Sequence, residues 1–165
     1  MDFSNAAPPG AAAQAFLDRA AHRHLIGGKW VESVGGERFE TLDPATGKPL
    51  GALARASAAD VDAAVAAARA AFEDGRWSGL VPMDRAKVLW TIAEKLEANI
   101  DELAELETLD QGKALYVGRW AEIPGAVNKF RYFSGLATKI EGATIPTSIN
   151  YQPAGKEVFA YTQHL

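Results

Sequence analysis

Helical patterns fill the middle of this chain, from about residue 57 to residue 142, and strand-like patterns lie on both sides of them. Gly75, Asn99 and Gly112 separate the helical stretches, and residues of these two types commonly end helices. No strand pattern alternates with the helices, and no glycine-rich turn joins a strand to a helix, so no parallel sheet is predicted. The order of hairpin, helices and hairpin predicts an α+β fold.

The first strand-like region contains two runs rich in aromatic and branched residues. The runs Leu25–Val31 and Arg38–Leu42 are separated by the glycine pair at 35–36, which predicts a β-hairpin that pairs one run with the other. The segment Asp43–Lys48 is a predicted turn, because aspartate caps turns and proline fixes φ. Pro49–Ala54 is a predicted third strand, and a short helix is expected before the first strand, over residues 16–23.

The first long helix has clear sequence signals at both ends. Ser57 is the predicted N-cap, Asp60 lies three residues later where a carboxylate suits a helix N-terminus, and Gly75 is the predicted C′ residue. Spacings of four and three predict one face that packs against the rest of the protein. This face contains Val61, Val65, Ala68 and Phe72.

Three further helical stretches follow. The first begins near Met83 and breaks at Asn99, the second runs from there to Gly112, and the last starts at or near Pro124 and closes at Gly142. The inner face predicted for the last one contains Val127, Phe130, Phe133 or Ser134, Ala137 and Ile140.

The last part of the chain is predicted to be a long hairpin. Strand-like segments at 143–150 and 157–165 flank a turn at 152–156. A lone two-stranded hairpin is only marginally stable in water, so we expect another surface to cover this one. A neighbouring subunit is a suitable partner.

Composition excludes several classes of function. The chain has no cysteine, which removes disulfides, thiolate metal sites and cysteine nucleophiles. A net charge of −4 and a pI near 5.4 give no reason to expect binding to nucleic acid or to an anionic membrane. Residues 1–20 are expected to form a flexible tail with neither a secretory nor a transit pattern, so a cytoplasmic location is expected.

Two other groups of polar residues are candidate sites. His22, His24 and His164 lack the spacing of a metal site, so we expect them to be solvated surface residues. The acidic run from Asp101 to Asp110 is expected to be a solvated helix face rather than a carboxylate pair for acid–base chemistry.

Four stretches carry a resemblance to a known family. They are Leu25–Val31, Asp43–Leu50, Ala59–Phe72 and Glu107–Lys113. They resemble, in order and spacing, the first strand, the "NPATG" turn, the first long helix and the "ETLDNGK" motif of the aldehyde dehydrogenase superfamily. The resemblance covers roughly residues 20 to 162, which is about the first third of a family member.

The resemblance implies the N-terminal part of the α/β aldehyde dehydrogenase fold, with the Rossmann sheet absent. Full-length members use NAD or NADP to oxidise an aldehyde through a cysteine thiolate. Their catalytic cysteine, general-base glutamate and coenzyme-binding turn lie beyond the matched stretch. No residue of this chain is therefore assigned to catalysis or cofactor binding, and we expect the chain alone neither to bind NAD(P) nor to turn over aldehyde.

The resemblance also implies part of a monovalent-cation site. The corresponding ligands are the backbone carbonyl of Leu42 and the carboxylate of Asp110, and a third ligand would come from beyond Leu165. The alternative is that Asp110 is a capping or solvated carboxylate near a helix end.

Three functional hypotheses follow. The first is the N-terminal part of an aldehyde dehydrogenase-like oxidoreductase, with a tail at 1–20, a helical and hairpin segment of the coenzyme-binding domain at 21–142, and an oligomerisation hairpin at 143–165. The second is a non-catalytic interaction module that pairs through this hairpin with full-length homologues. The third is an unrelated small enzyme, and no constellation of residues favours it.

Overall fold

A computed structural model describes residues 8–19, 22–146 and 159–163 of the chain. Its helices and small antiparallel sheets confirm the predicted α+β class. The strands are β1 His24–Ile26, β2 Lys29–Val31, β3 Arg38–Leu42, β4 Pro49–Ala54, β5 Thr144–Ile145 and β6 Ala160–Tyr161. The helices are α1 Ala11–Leu17, α2 Ala58–Glu73, α3 Pro82–Ala98, α4 Ile100–Gln111, α5 Leu115–Val117 and α6 Ile123–Leu136, with a π-helical turn at Gly118–Glu122 between the last two.

The strand pairing near the N-terminus differs from the prediction. The first run folds back on itself, so that β1 pairs with β2 across a turn at Gly27 and Gly28, whose φ angles of +57° and +79° favour glycine. Strand β3 pairs instead with β4, with Phe39 opposite Leu53. The predicted hairpin between 25–31 and 38–42 is therefore wrong, because a two-residue glycine turn within the first run closes a tighter hairpin.

The first helix lies earlier than predicted. Residues Ala11–Leu17 are helical, whereas a helix had been predicted over 16–23. The alanine-rich sequence favours helix here, and Ala13 is fully buried against α4. The Gly10 N–H donates a hydrogen bond to Glu105 Oε2 at 2.7 Å. Part of the segment predicted as a tail, 1–20, is thus a packed helix.

Ser57 caps the start of α2, as predicted, and together with Asp60 it forms a capping box. The Asp60 N–H donates to Ser57 Oγ at 3.3 Å, and Asp60 Oδ2 accepts from the Ser57 N–H at 2.8 Å. The same carboxylate accepts from Ser33 Oγ at 2.8 Å and from the Val34 N–H at 3.0 Å. Asp60 is buried, so this network joins the loop after β2 to the first turn of α2.

These donors make the stability of the chain depend on pH. Hydrogen bonds from the Ser57 backbone and side chain, then from Ser33 and Val34, hold the pKa of Asp60 far below its usual value of 3.8. A lowered folded-state pKa stabilises the fold above the unfolded-state pKa, and this contribution is lost as the pH falls below it. We therefore expect urea-unfolding stability to drop progressively as the pH falls from about 5 to about 2. Asp60→Asn should lose less stability over this pH range than the parent chain. Asp62→Asn, two residues further along the helix, should lose as much as the parent. Equal losses in the two variants would contradict the prediction.

The packed face of α2 is not the predicted one. Ala64, Ala67 and Ala71 are half-buried, whereas the predicted inner residues lie on the exposed side. A Cβ built on Gly27 would lie 3.9 Å from Ala67 Cβ, which shows how closely the turn of the first hairpin approaches the helix. Small side chains permit this approach, so the alanines pack. The residues left exposed are Val61, Val65, Ala68 and Phe72.

Helices α3 and α6 form the main helix pair. Ser134 is buried and its Oγ donates to the Ala86 carbonyl at 2.8 Å, so Ser134, and not Phe133, faces inward. Arg131 holds the pair together through two hydrogen bonds to Glu97, at 3.1 and 2.5 Å. Ile140 is exposed, because α6 ends at Leu136 before that residue is reached.

The helix boundaries follow most of the sequence signals. Asn99 separates α3 from α4, and Gly112 ends α4 in the left-handed conformation, both as predicted. The last helix, α6, begins at Ile123, next to Pro124 as predicted, but it ends at Leu136 rather than at Gly142. The sequence did not predict α5 and the π-helical turn that precede it. The π-helical turn begins at Gly118, which is buried against Ala104 of α4.

The described part of the C-terminal segment is paired as predicted. Thr144 lies opposite Tyr161 and Ile145 opposite Ala160 in an antiparallel arrangement. The predicted turn at 152–156 lies outside the described residues, as do residues 147–150, 157–158 and 164–165 of the two predicted strands.

Buried apolar side chains among the described residues are small. They are Ala13, Ala54, Ala93, Ala104 and Val127, and no large side chain is fully buried. Many large apolar side chains are exposed, including Trp30, Phe72 and Trp120 at 64%, 70% and 69%. Within the described ranges, no helix combines the length and the apolar character needed to cross a bilayer.

Candidate functional site

The two residues predicted for a cation site lie on elements that are joined directly. Thr41, near the end of β3, donates its hydroxyl to Asp110 Oδ1 at 2.8 Å, and Asp110 is at the end of α4. Leu42 follows Thr41 at a point where the register between β3 and β4 shifts. The sequence gives no signal for the Thr41–Asp110 contact, because 69 residues separate the two.

A second contact joins the same two regions. Pro44 lies against the end of α4, so that a Cβ built on Gly112 would be only 2.9 Å from Pro44 Cγ. The φ angle of Gly112 is +74°, in the left-handed region. Only glycine therefore satisfies both the conformation and the space here, and the turn after β3 depends on it.

The turn itself is organised by Asp43. Its carboxylate accepts from the Ala45 N–H at 2.8 Å and from Thr46 Oγ1 at 2.7 Å, as in an Asx turn. These hydrogen bonds, the Thr46 hydroxyl first, lower the pKa of Asp43. The turn is confirmed where it was predicted, and it holds Pro44 in place against α4.

An ion cluster lies beyond the end of α4. Lys113 donates hydrogen bonds to Glu107 Oε1 of α4, at 2.9 Å, and to Glu122 of the π-helical turn. It therefore connects these two elements. Hydrogen bonds to Glu122 and then Glu107 raise the pKa of Lys113, and the lysine in turn lowers the pKa of Glu122. Arg119, in the same turn, pairs with Asp101 at 2.7 Å and Glu105 at 3.0 Å.

The acidic run on α4 is thus more structured than the sequence predicted. Several of its carboxylates join α4 to neighbouring elements, whereas a solvated face had been predicted. Gly10 and Arg119 are distant in sequence from their partner Glu105, whereas Lys113 follows Glu107 by only six residues. Of the histidines, His22 stacks on Phe16 with ring centroids 4.5 Å apart, His24 lies in β1, and His164 is outside the described residues.

A cavity of about 580 Å³ lies between α1, the β3–β4 hairpin and α4. Asp110 and Thr41 are on its wall, so it adjoins the predicted cation site. Its apolar lining consists of Phe16, Leu17, Trp30, Leu50, Leu53, Leu106 and Leu109, and its polar lining also includes Arg19, His22 and Arg23.

Comparisons with known proteins agree with this arrangement. The sequence profile of the Aldehyde dehydrogenase family matches residues 30–164. The chain is 44% identical over 128 residues to the mitochondrial aldehyde dehydrogenase family 2 member B4 of Arabidopsis thaliana, and 44% identical over 128 residues to aldehyde dehydrogenase 1 of Tanacetum cinerariifolium. Each alignment covers 78% of this chain, and 24% and 26% of the relative.

Structural comparison gives the same result. The chain matches the NAD+ complex of an aldehyde dehydrogenase from Bacillus cereus with a TM-score of 0.80 and 40% identity, over 87% of this chain and 29% of the other. The chain belongs to the aldehyde dehydrogenase family. It corresponds to an N-terminal segment of an aldehyde dehydrogenase-like oxidoreductase and spans about a quarter of the length of the curated relatives it matches. This assignment is favoured over a stand-alone interaction module.

Proposed function

We propose that this chain supplies the N-terminal part of an NAD(P)-dependent enzyme that oxidises an aldehyde to a carboxylic acid. The observation that carries the proposal is the match to aldehyde dehydrogenases along most of the chain, at a TM-score of 0.80 for a relative whose structure contains NAD+. In this proposal the segment has a structural role. Its contribution is the packed unit of α4, the Asp43–Lys48 turn and the helix pair, and it binds no coenzyme by itself.

The activity prediction has two parts. The 165-residue chain alone should produce no NADH from NAD+ and an aldehyde, because it has no cysteine to form the thiohemiacetal. A chimera in which residues 22–163 replace the aligned segment of the Bacillus cereus enzyme should produce NADH at a rate within about tenfold of the parent, a change in barrier of under about 1.4 kcal/mol. Absorbance of NADH measures both rates. A folded but inactive chimera would count against the proposal, and a heat-treated chimera gives the background rate.

The cation site is part of the same proposal. The Thr41–Asp110 hydrogen bond supports it by bringing the end of β3 to Asp110. In the active chimera, Asp110→Asn should weaken the dependence of activity on K⁺, because it removes the carboxylate charge. Asp101→Asn, on the exposed N-terminal turn of α4, is the matched control. Equal K⁺ dependence in both variants would leave Asp110 as a structural residue only.

We further propose that the hairpin at 143–165 mediates self-association or pairing with a homologous subunit in the cytoplasm. Ile145 and Tyr161 are 47% and 69% exposed, which supports a partner surface there. The chain should sediment as a concentration-dependent oligomer. The double variant Ile145→Lys, Tyr161→Lys should be more monomeric, because association would bury the two lysine charges at the interface. Val34→Lys, at a 77% exposed site in the loop after β2, should not. A monomeric parent chain would contradict the proposal.

The boundaries at 1–20, 21–142 and 143–165 stay part of this proposal. Limited proteolysis tests them, since cleavage concentrates where the backbone is neither buried nor hydrogen-bonded. The burial of Ala13 against α4 suggests that cutting will be slow within α1.

A further inference from the structure

The cavity next to α4 depends on a part of the chain that the family match does not include. Helix α1 forms one wall of it, and α1 precedes residues 30–164, which the family profile covers. The position of α1 is fixed by buried Ala13 and by the hydrogen bond from Gly10 to Glu105. The cavity is therefore a feature of this chain rather than of the matched segment alone.

The size and lining of the cavity suit a small organic molecule. Its volume of about 580 Å³ is within the range of ligand pockets. Leucines from three elements line it, among them Leu17 of α1, Leu53 of β4 and Leu106 of α4. An apolar chain or ring placed there would lose much of its contact with water, which favours binding.

The charges on the wall are not equivalent. Arg23 is paired with Glu32 at 2.8 Å, and Asp110 accepts the hydroxyl of Thr41. Arg19 has no carboxylate partner among the described residues, and its guanidinium lies over the Phe16 ring, 4.5 Å from the centroid. A guanidinium presents two parallel N–H donors that match the geometry of a carboxylate.

We propose that this cavity binds a medium-chain carboxylate of about eight to twelve carbons, a size suited to a pocket of this class. The carboxylate is held by Arg19, and the alkyl chain lies against the leucines. Binding at this site needs no coenzyme and no catalytic residue, so the proposal goes beyond the proposed role in aldehyde oxidation and does not depend on it.

The test is a titration of the full 165-residue chain with octanoate, decanoate and dodecanoate below their micelle concentrations. Calorimetry should show saturable binding, with affinity rising about fourfold for each added methylene. Tryptophan emission should change as well, because Trp30 lines the cavity, and Trp30→Phe should reduce that change while leaving the calorimetric affinity within about threefold.

Matched variants test the charge. Arg19→Gln should weaken decanoate binding about tenfold or more, the expected loss of a charge-assisted pair. Arg69→Gln should bind like the parent, since Arg69 is an exposed arginine on α2 away from the cavity. Both sites are exposed, so both variants should keep the parental circular dichroism.

Several results would overturn the proposal. They are the absence of saturable binding, equal affinity for decylamine or decanol, equal affinity of Arg19→Gln and Arg69→Gln, and an undiminished emission change in Trp30→Phe. Because each readout is binding to the chain alone, failure here leaves the aldehyde dehydrogenase proposal untouched, and an inactive chimera leaves this one untouched.

Discussion

Replacing Gly112 with alanine is expected to lower the free energy of unfolding by about 3 kcal/mol, which is large for a single added methyl group. Two costs add. The left-handed conformation of Gly112, at φ +74°, costs an L-residue about 1–2 kcal/mol. The new Cβ would also lie 2.9 Å from Cγ of Pro44, part of a stiff ring that cannot rotate away. Urea unfolding of parent and variant measures the difference.

Gly75 provides the control for this experiment. It follows the C-cap residue of α2 and has a φ of +77°, but the nearest atom to an added Cβ is Ser78 Oγ at 4.0 Å. Gly75→Ala should therefore cost only the conformational part, about 1–2 kcal/mol. The excess cost at Gly112 measures the contact with the Asp43–Lys48 turn. Equal costs at the two sites would mean that this contact is not tight in solution.

Gly118→Val is expected to destabilise the fold by about 3 kcal/mol, because it overpacks the crossing of α4 and the π-helical turn. Even a single Cβ at this position would meet Ala104 Cβ at 3.0 Å and its Cα at 3.2 Å. Ala104 is part of α4 and is fully buried, so it cannot move aside without disturbing the packing of that helix. Gly118→Ala should cost less, about 1–2 kcal/mol.

A glycine on α6 gives the opposite expectation. A Cβ on Gly125 would meet nothing within 4 Å, so Gly125→Ala should stabilise the chain by roughly 0.4–1 kcal/mol through helix propensity. Thermal unfolding followed by circular dichroism compares the variants. If Gly118→Val unfolded at the same temperature as the parent, the close approach of the two elements would be refuted.

The contact between Pro44 and Gly112 gives a physical reason for two of the motifs on which the family resemblance was based. The Asp43–Lys48 turn and the glycine after α4 are far apart in sequence, but Pro44 of the turn packs so closely on Gly112 that there is no room for a side chain at that position. Thr41 and Asp110 add a hydrogen bond across the same junction. The region that carries the resemblance is thus a packed unit, which is consistent with its match, at a TM-score of 0.80, to 29% of the Bacillus cereus enzyme chain.

Local chemistry was sufficient to predict the features that depend on a few neighbouring residues. The confirmed features are the N-cap at Ser57, the break at Asn99, the end of α4 at Gly112 and the turn around Asp43. In each case the backbone hydrogen bonds and the φ angles are satisfied within about six residues, so the sequence there contains all the information required.

The tertiary structure decided the features that depend on distant partners. It determined that β3 pairs with β4, that α2 packs through Ala64, Ala67 and Ala71, and that α1 begins at Ala11. Surfaces that are far apart in the chain compete to determine which strands pair and which helix faces are buried. Several of the local patterns are compatible with more than one pairing or buried face. The composition and motifs of this chain therefore determined its family and its local turns and caps, while long-range packing determined which faces meet and where the cavity beside α4 forms.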